Sequence, residues 1–243
     1  MSQARTAFCG IGILALCVAV LVAQTPGADA GKAKAKAKGP EPALVQIEDV
    51  PGLPRVLLIG DSISIGYTPP VRELLNGKAN VHRPPVNCAS TLVGLKSLEA
   101  WLGDKKWDVI HFNWGLHDLK YIDEKGALAA VDKGKQQVPL DEYEKNLRLL
   151  VQQLNKTGAK LIWCATTPVP EGAAGRVAGD EVKYNEAAAR VMKENGVEIS
   201  DLHAFAASKW MDIQHPKNVH FTTEGSRRLA EVVAAKIEKV LAK

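Results

Sequence analysis

Between residues 55 and 241, short apolar runs rich in β-branched residues alternate five times with segments of helical period. The plainest run is Arg55-Val-Leu-Leu-Ile-Gly60, apolar without interruption and ended by glycine. Continuous apolar runs of this length suit strands buried on both faces, whereas a strand with one wet face would alternate. Residues 79–83, 107–113, 159–165 and 197–200 supply four further strands, the second stopped by Pro84-Pro85 and the fourth by Pro168. Helices are expected over 69–75, 92–102, 140–154, 181–194 and 224–241. In the third of these, Leu140, Tyr143, Leu147, Leu150 and Leu154 recur at three- and four-residue steps and form one apolar stripe. Gly158 follows where a helix end favours glycine. Strand–helix alternation implies parallel strands joined by right-handed helical crossovers that cover both faces. The expectation is an α/β chain: a flavodoxin-like three-layer α/β/α sandwich around a parallel five-stranded sheet. In such sheets ligands bind beyond the carboxyl ends of the strands.

The segment before Arg55 has a different composition. Arg5 precedes a charge-free apolar run of about 17 residues over 7–23, and Ala28-Asp29-Ala30 follows as a small-x-small site. Residues 1–30 are therefore expected to be a signal peptide. Their run lies at the short limit of the roughly 17–25 residues that span a bilayer. The expected destination is secreted or periplasmic, or membrane-anchored if the signal is not cleaved. Residues 31–53 read as a flexible linker: Ala-Lys alternation followed by Gly39-Pro40-Glu41-Pro42 cannot bury apolar area. Residues 54–243 form the single folded domain. Most of the formal net charge of +4 is matched by Lys32, Lys34, Lys36 and Lys38, so the domain carries no basic stripe suited to nucleic acid. Of four cysteines, Cys9 and Cys17 fall in the signal; Cys88 and Cys164 read as buried small hydrophobes rather than a disulfide. No Cys/His spacing marks a structural zinc site.

Chemistry is expected just after the strands. Gly60-Asp61-Ser62 follows the first, where a strand-to-helix turn exposes a serine hydroxyl in front of a helix N-terminus. A serine there also serves as an ordinary cap. Far along the chain, Asn218-Val219-His220-Phe221-Thr222-Thr223-Glu224-Gly225 opens the last helix. A histidine on that loop can reach the end of the first strand and take the serine proton near neutral pH. His82 and His111, inside strands, read as buried and hydrogen-bonded. Trp114 reads as a core residue or the wall of a subsite, and residues 126–138 as a surface loop over the active face.

Three blocks in this order resemble the SGNH (GDSL-like) hydrolase superfamily: Gly60-Asp61-Ser62, Gly115-Leu116-His117-Asp118, and His220 with Gly225 five residues on. The resemblance covers about residues 55–242. It implies a secreted esterase or deacylase without cofactor or metal, with Ser62 as nucleophile and His220 as base. It also implies an oxyanion hole built from the N–H groups of Ser62 and Ala89 and the side chain of His117. His117 stands where the family carries asparagine, and Ala89 where it carries glycine. Lys217 stands three residues before His220, where the family carries aspartate. The orienter of His220 is then Asp212 or a backbone carbonyl. Asp212-Ile213-Gln214-His215 offers His215 as a rival base, but His215 lacks the glycine five residues later.

The expected activity is hydrolysis of small acyl esters, with acetyl groups on carbohydrate as the candidate substrate. The partners are a small-molecule or glycan acyl ester; neither nucleic acid nor a stable membrane partner after signal cleavage is expected. Two other readings remain open: a non-catalytic carbohydrate- or partner-binding domain on a degenerate hydrolase fold, and a metal-dependent hydrolase using His117, Asp118, His215 and His220.

Overall fold

The computed structural model describes residues 41–243; the expected signal peptide and the first part of the linker lie outside the described residues. Five strands form one parallel sheet in the order β2-β1-β3-β6-β7. They are β1 (Arg55–Ile59), β2 (Asn80–His82), β3 (Val109–Phe112), β6 (Lys160–Cys164) and β7 (Glu198–Ser200). In register, Val56 pairs with Val81 and Val109, and Ile110 with Leu161. The core of each inner strand is buried on both faces, as its unbroken apolar run requires. The chain steps from β1 to one neighbour and then returns past β1 to β3, so the order reverses between these two strands. The crevice at that reversal is where a doubly wound sheet presents its site.

Helices α1 (Ser62–Leu74) and α7 (Thr223–Leu241) pack together on one face. Helices α2 (Thr91–Leu102), α3 (Leu140–Asn155) and α4 (Asp180–Glu194) pack together on the other. The predicted stripe of α3 holds: Tyr143, Leu147, Leu150 and Leu154 are fully buried, with Val151 beside them. Each such side chain contributes about 1.5–3 kcal/mol relative to exposure. Short helices α5 (Leu202–Ala207) and α6 (Trp210–Ile213) lie between β7 and α7. Cys88 and Cys164 are free and buried.

Four expectations are corrected. Helix α1 begins at Ser62 rather than residue 69 and runs through Pro69 and Pro70. Proline removes the amide that would bond four residues back. Here the carbonyls left without it belong to Ile65 and Gly66, half-buried and exposed, where solvent can replace the donor. Residues 126–138 are not a plain loop: Lys135–Gln136 (β5) pairs antiparallel with Tyr121–Ile122 (β4). The ordered domain also starts before Pro54. Ala43 is fully buried, Val50 N–H donates to Asn80 Oδ1 at 2.8 Å, and His82 Nε2 meets Asp49 Oδ1 at 2.6 Å. Residues 41–53 are thus held by the edge strand β2 rather than forming a linker. Finally, His111 is buried as expected but neither ring nitrogen has a hydrogen-bond partner among the described residues. Its ring stands edge-on to Tyr67, 6.3 Å between centroids.

Candidate active site

Ser62 is the first residue of α1, one turn past the end of β1. The Asp61 carboxylate caps that helix, accepting from Ile63 N–H at 3.0 Å. The cap satisfies one of the helix's free amides and leaves Ser62 on the outer side of the turn. Gly60 cannot be larger, because a Cβ there would lie 2.7 Å from that of Ser64. Behind the turn lies Arg83, a buried guanidinium at the end of the second apolar run, where nothing in the local pattern marks a role. It donates to the carbonyls of Gly60 and Val86, each at 3.1 Å, and to Ser64 Oγ at 3.2 Å. This cation ties the loop after β2 to the turn that carries Ser62.

His220 reaches the same place from the other end of the chain: its Nε2 lies 2.9 Å from Ser62 Oγ. Its Nδ1 lies 2.8 Å from Asn218 Oδ1, which also accepts from the His220 backbone N–H at 3.0 Å. An amide oxygen only accepts, so Nδ1 is the protonated nitrogen and Nε2 presents its lone pair to the serine hydroxyl. The expected orienters are corrected here. Asp212 is exposed on α6 and has no bond to His220, and the partner of Nδ1 is a side-chain amide rather than a backbone carbonyl. Lys217 adopts φ 54°, and its side chain runs along Gly172. The signal that could have found Asn218 is its spacing: an Asx side chain two residues ahead can accept the following backbone N–H and fold back on the loop.

The loop itself is closed by the backbone. His215 N–H donates to the His220 carbonyl at 3.0 Å, and Thr222 N–H to the Ile213 carbonyl at 2.9 Å. His215 is exposed at the base of the loop, and it is His220 that meets Ser62. Gly225 lies in the first turn of α7, where a Cβ would be 2.0 Å from the Ile213 carbonyl oxygen. The glycine five residues after His220 therefore allows α6 and α7 to approach closely enough to place the loop.

The candidate oxyanion residues come from three strand ends. Ala89 adopts φ 47°, the left-handed backbone that favours glycine. This is the backbone freedom expected where the family carries glycine, here taken by alanine at some strain. Its N–H already donates to Asn87 Oδ1 at 2.9 Å, so an oxyanion would share that donor. Gly94 faces Trp114 at close range and is a packing position on α2. His117 is half-buried after β3, with Lys120 Nζ 3.3 Å from its Nδ1. Burial chiefly lowers its pKa, with Lys120, Arg176 and His220 acting in the same sense and Asp61 opposing.

The other residues of the mid-chain block are structural. A Cβ on Gly115 would lie 2.1 Å from Thr166 Oγ1. Asp118 is fully buried and accepts from Thr91 N–H at 2.9 Å and Thr91 Oγ1 at 2.5 Å. Burial pushes its carboxyl up to about 7. Trp114 is buried against Phe112, a core residue and not a subsite wall. With Asp118 turned inward onto Thr91, the four side chains of a metal-dependent reading do not converge. Among the described residues, no group of three or more His, Cys, Asp or Glu side chains is placed to hold a metal ion.

No curated protein matches the chain. Solved structures do. A lipase/acylhydrolase from Enterococcus faecalis superposes with TM-score 0.63 at 17% identity, covering 77% of this chain and 96% of its own. The acetylxylan esterase Axe2 from Geobacillus stearothermophilus gives 0.60 at 18% identity, over 76% and 94%. The acetyl xylan esterase AlAXEase gives 0.60 at 17% identity, over 75% and 99%. At these identities the likeness is one of fold. The family model described as GDSL-like Lipase/Acylhydrolase matches residues 58–228. That match runs from the middle of β1 into α7 and takes in the Ser62, His117 and His220 blocks together, so the chain belongs to the GDSL-like lipase/acylhydrolase family.

Proposed function

We propose that this protein is an exported serine esterase that removes small acyl groups, acetyl above all, from carbohydrate. The observation that carries the reading is the bond line from Asn218 Oδ1 through His220 to Ser62 Oγ, at 2.8 and 2.9 Å. In this line Nε2 is the free base. As Ser62 Oγ attacks the acyl carbon, its proton passes to Nε2 and the carbonyl π-electrons move onto oxygen. The N–H groups of Ser62 and Ala89 and the His117 ring receive that oxyanion. When the tetrahedral intermediate collapses, the C–O bond to the alcohol breaks and His220 returns the proton to the departing oxygen. Water then repeats the sequence on the acyl-enzyme, with Nε2 taking its proton, and Ser62 is restored.

Support for a bulky, polar alcohol comes from position: His220 is exposed and Ser62 half-exposed, so an acyl group need not enter a deep chamber. Two of the solved structures that share the fold are acetyl xylan esterases. Export rests on the apolar run and the Ala28-Asp29-Ala30 site, with 1–30 as signal and a secreted or periplasmic product. A chromogenic acetyl ester tests the activity. Ser62→Ala and His220→Ala are each expected to abolish turnover nearly completely, since nucleophile and base act as one unit, while His215→Ala keeps most of it. Equal rates for wild type and Ser62→Ala would refute the reading.

A further inference from the structure

We propose that Lys120 is a positioning residue that fixes His117 as the Nε2–H tautomer, the form in which the ring can donate to an oxyanion. The proposal rests on the esterase reading for its purpose, but not for its chemistry. At the family's asparagine position an amide N–H is always a donor. A neutral imidazole has one N–H, which can sit on either nitrogen. Replacing the amide by histidine therefore creates a need the amide never had: something must select the tautomer.

Lys120 meets that need. Its Nζ lies 3.3 Å from His117 Nδ1. An ammonium only donates, so the bond forms only when Nδ1 carries a lone pair. This excludes both the Nδ1–H tautomer and the imidazolium, and leaves the proton on Nε2. The charged groups that act on the ring favour the same state. Burial opposes a positive imidazole most strongly, Asp61 favours it, and Lys120, Arg176 and His220 oppose it.

The backbone on both sides is held as well. Arg176 Nε donates to the Leu116 carbonyl at 3.0 Å, next to His117. Gln137 N–H donates to the Lys120 carbonyl at 2.8 Å, and Val138 N–H to that of Asp118 at 2.9 Å. These bonds, at the open end of the β4–β5 ribbon, hold the backbone of Lys120 beside the ring.

Long-range ¹H–¹⁵N correlation spectra of the histidine-labelled full chain read the tautomer, with His117 assigned by the signal lost in His117→Asn. Wild type is expected to show Nε2–H alone near neutral pH. Lys120→Met should admit the Nδ1–H form and let imidazolium appear at higher pH, and Lys120→Arg, also a pure donor, should restore the wild-type pattern. In acetyl-ester turnover, Lys120→Met should lower kcat about tenfold, part of the roughly 10²–10³ that loss of an oxyanion donor costs, with KM little changed. In the His117→Asn background the same change should cost nothing further. Nδ1–H in the wild type, an unchanged spectrum in Lys120→Met, or full additivity of the two losses would overturn the proposal. An inactive wild type with the expected spectra would instead refute the esterase reading and leave the tautomer assignment standing.

Discussion

Asn218 Oδ1 stands 2.8 Å from His220 Nδ1, on the same loop and two residues away. This amide holds the place in which a carboxylate would orient the base, and it fixes the tautomer without adding charge. Asn218→Ala should therefore lower kcat on a chromogenic acetyl ester by about 10–100-fold, because the ring loses both its orientation and its Nδ1–H partner. Asn218→Asp keeps the acceptor and adds a charge that stabilises the imidazolium formed in the reaction, so its kcat should equal or exceed that of wild type. An Asn218→Ala enzyme with unchanged kcat would show that the loop backbone alone sets the ring.

Gly225 bears on both stability and turnover. A methyl group there would sit 2.0 Å from the Ile213 carbonyl oxygen, which already accepts from Thr222 N–H. A backbone oxygen cannot rotate away as a side chain would. Gly225→Ala should cost about 1–3 kcal/mol in urea unfolding and lower kcat as the His220 loop shifts. Unaltered stability would mean that α6 and α7 do not approach as described.

The pH dependence of stability should carry the mark of His111. Burial lowers its pKa from 6.5 to about 3. Between those values the unfolded chain binds a proton that the folded chain refuses. The contribution of this residue is therefore fully present above about pH 6.5 and is lost as pH falls toward 3, at up to roughly 1.4 kcal/mol per pH unit. His111→Phe keeps an aromatic edge near Tyr67 and removes the titration. Its urea midpoint should fall less steeply than that of wild type from pH 6.5 to 4. Parallel slopes for the two proteins would contradict the assignment.

Most of the sheet was legible because strands buried on both faces must be apolar throughout, and β1, β3 and β6 are. Ser62 and His220 were legible because each sits where a strand or loop meets a helix N-terminus. Other features depend on tertiary partners that local pattern does not encode. The start of α1 was hidden by Pro69 and Pro70, whose lost bonds matter little at half-exposed carbonyls. Arg83 reads in sequence only as the charged end of a strand, whereas its five donors find carbonyls and hydroxyls brought together only by the fold. The two-residue strands β4 and β5 are too short to show alternation. Residues 41–53 look solvating by composition, yet Asn80 and His82 give their backbone and Asp49 specific partners. Asp212 was the plausible carboxylate by spacing, but α6 turns it to solvent.

The nucleophilicity of Ser62 is tested most directly by covalent labelling of the folded wild-type protein with a fluorophosphonate, followed by peptide mass spectrometry. One adduct is expected, on Ser62, absent from Ser62→Ala and formed far more slowly in His220→Ala but not in His215→Ala. A folded wild-type protein that takes up no label at Ser62, or a Ser62→Ala protein labelled as readily as wild type, would contradict that role.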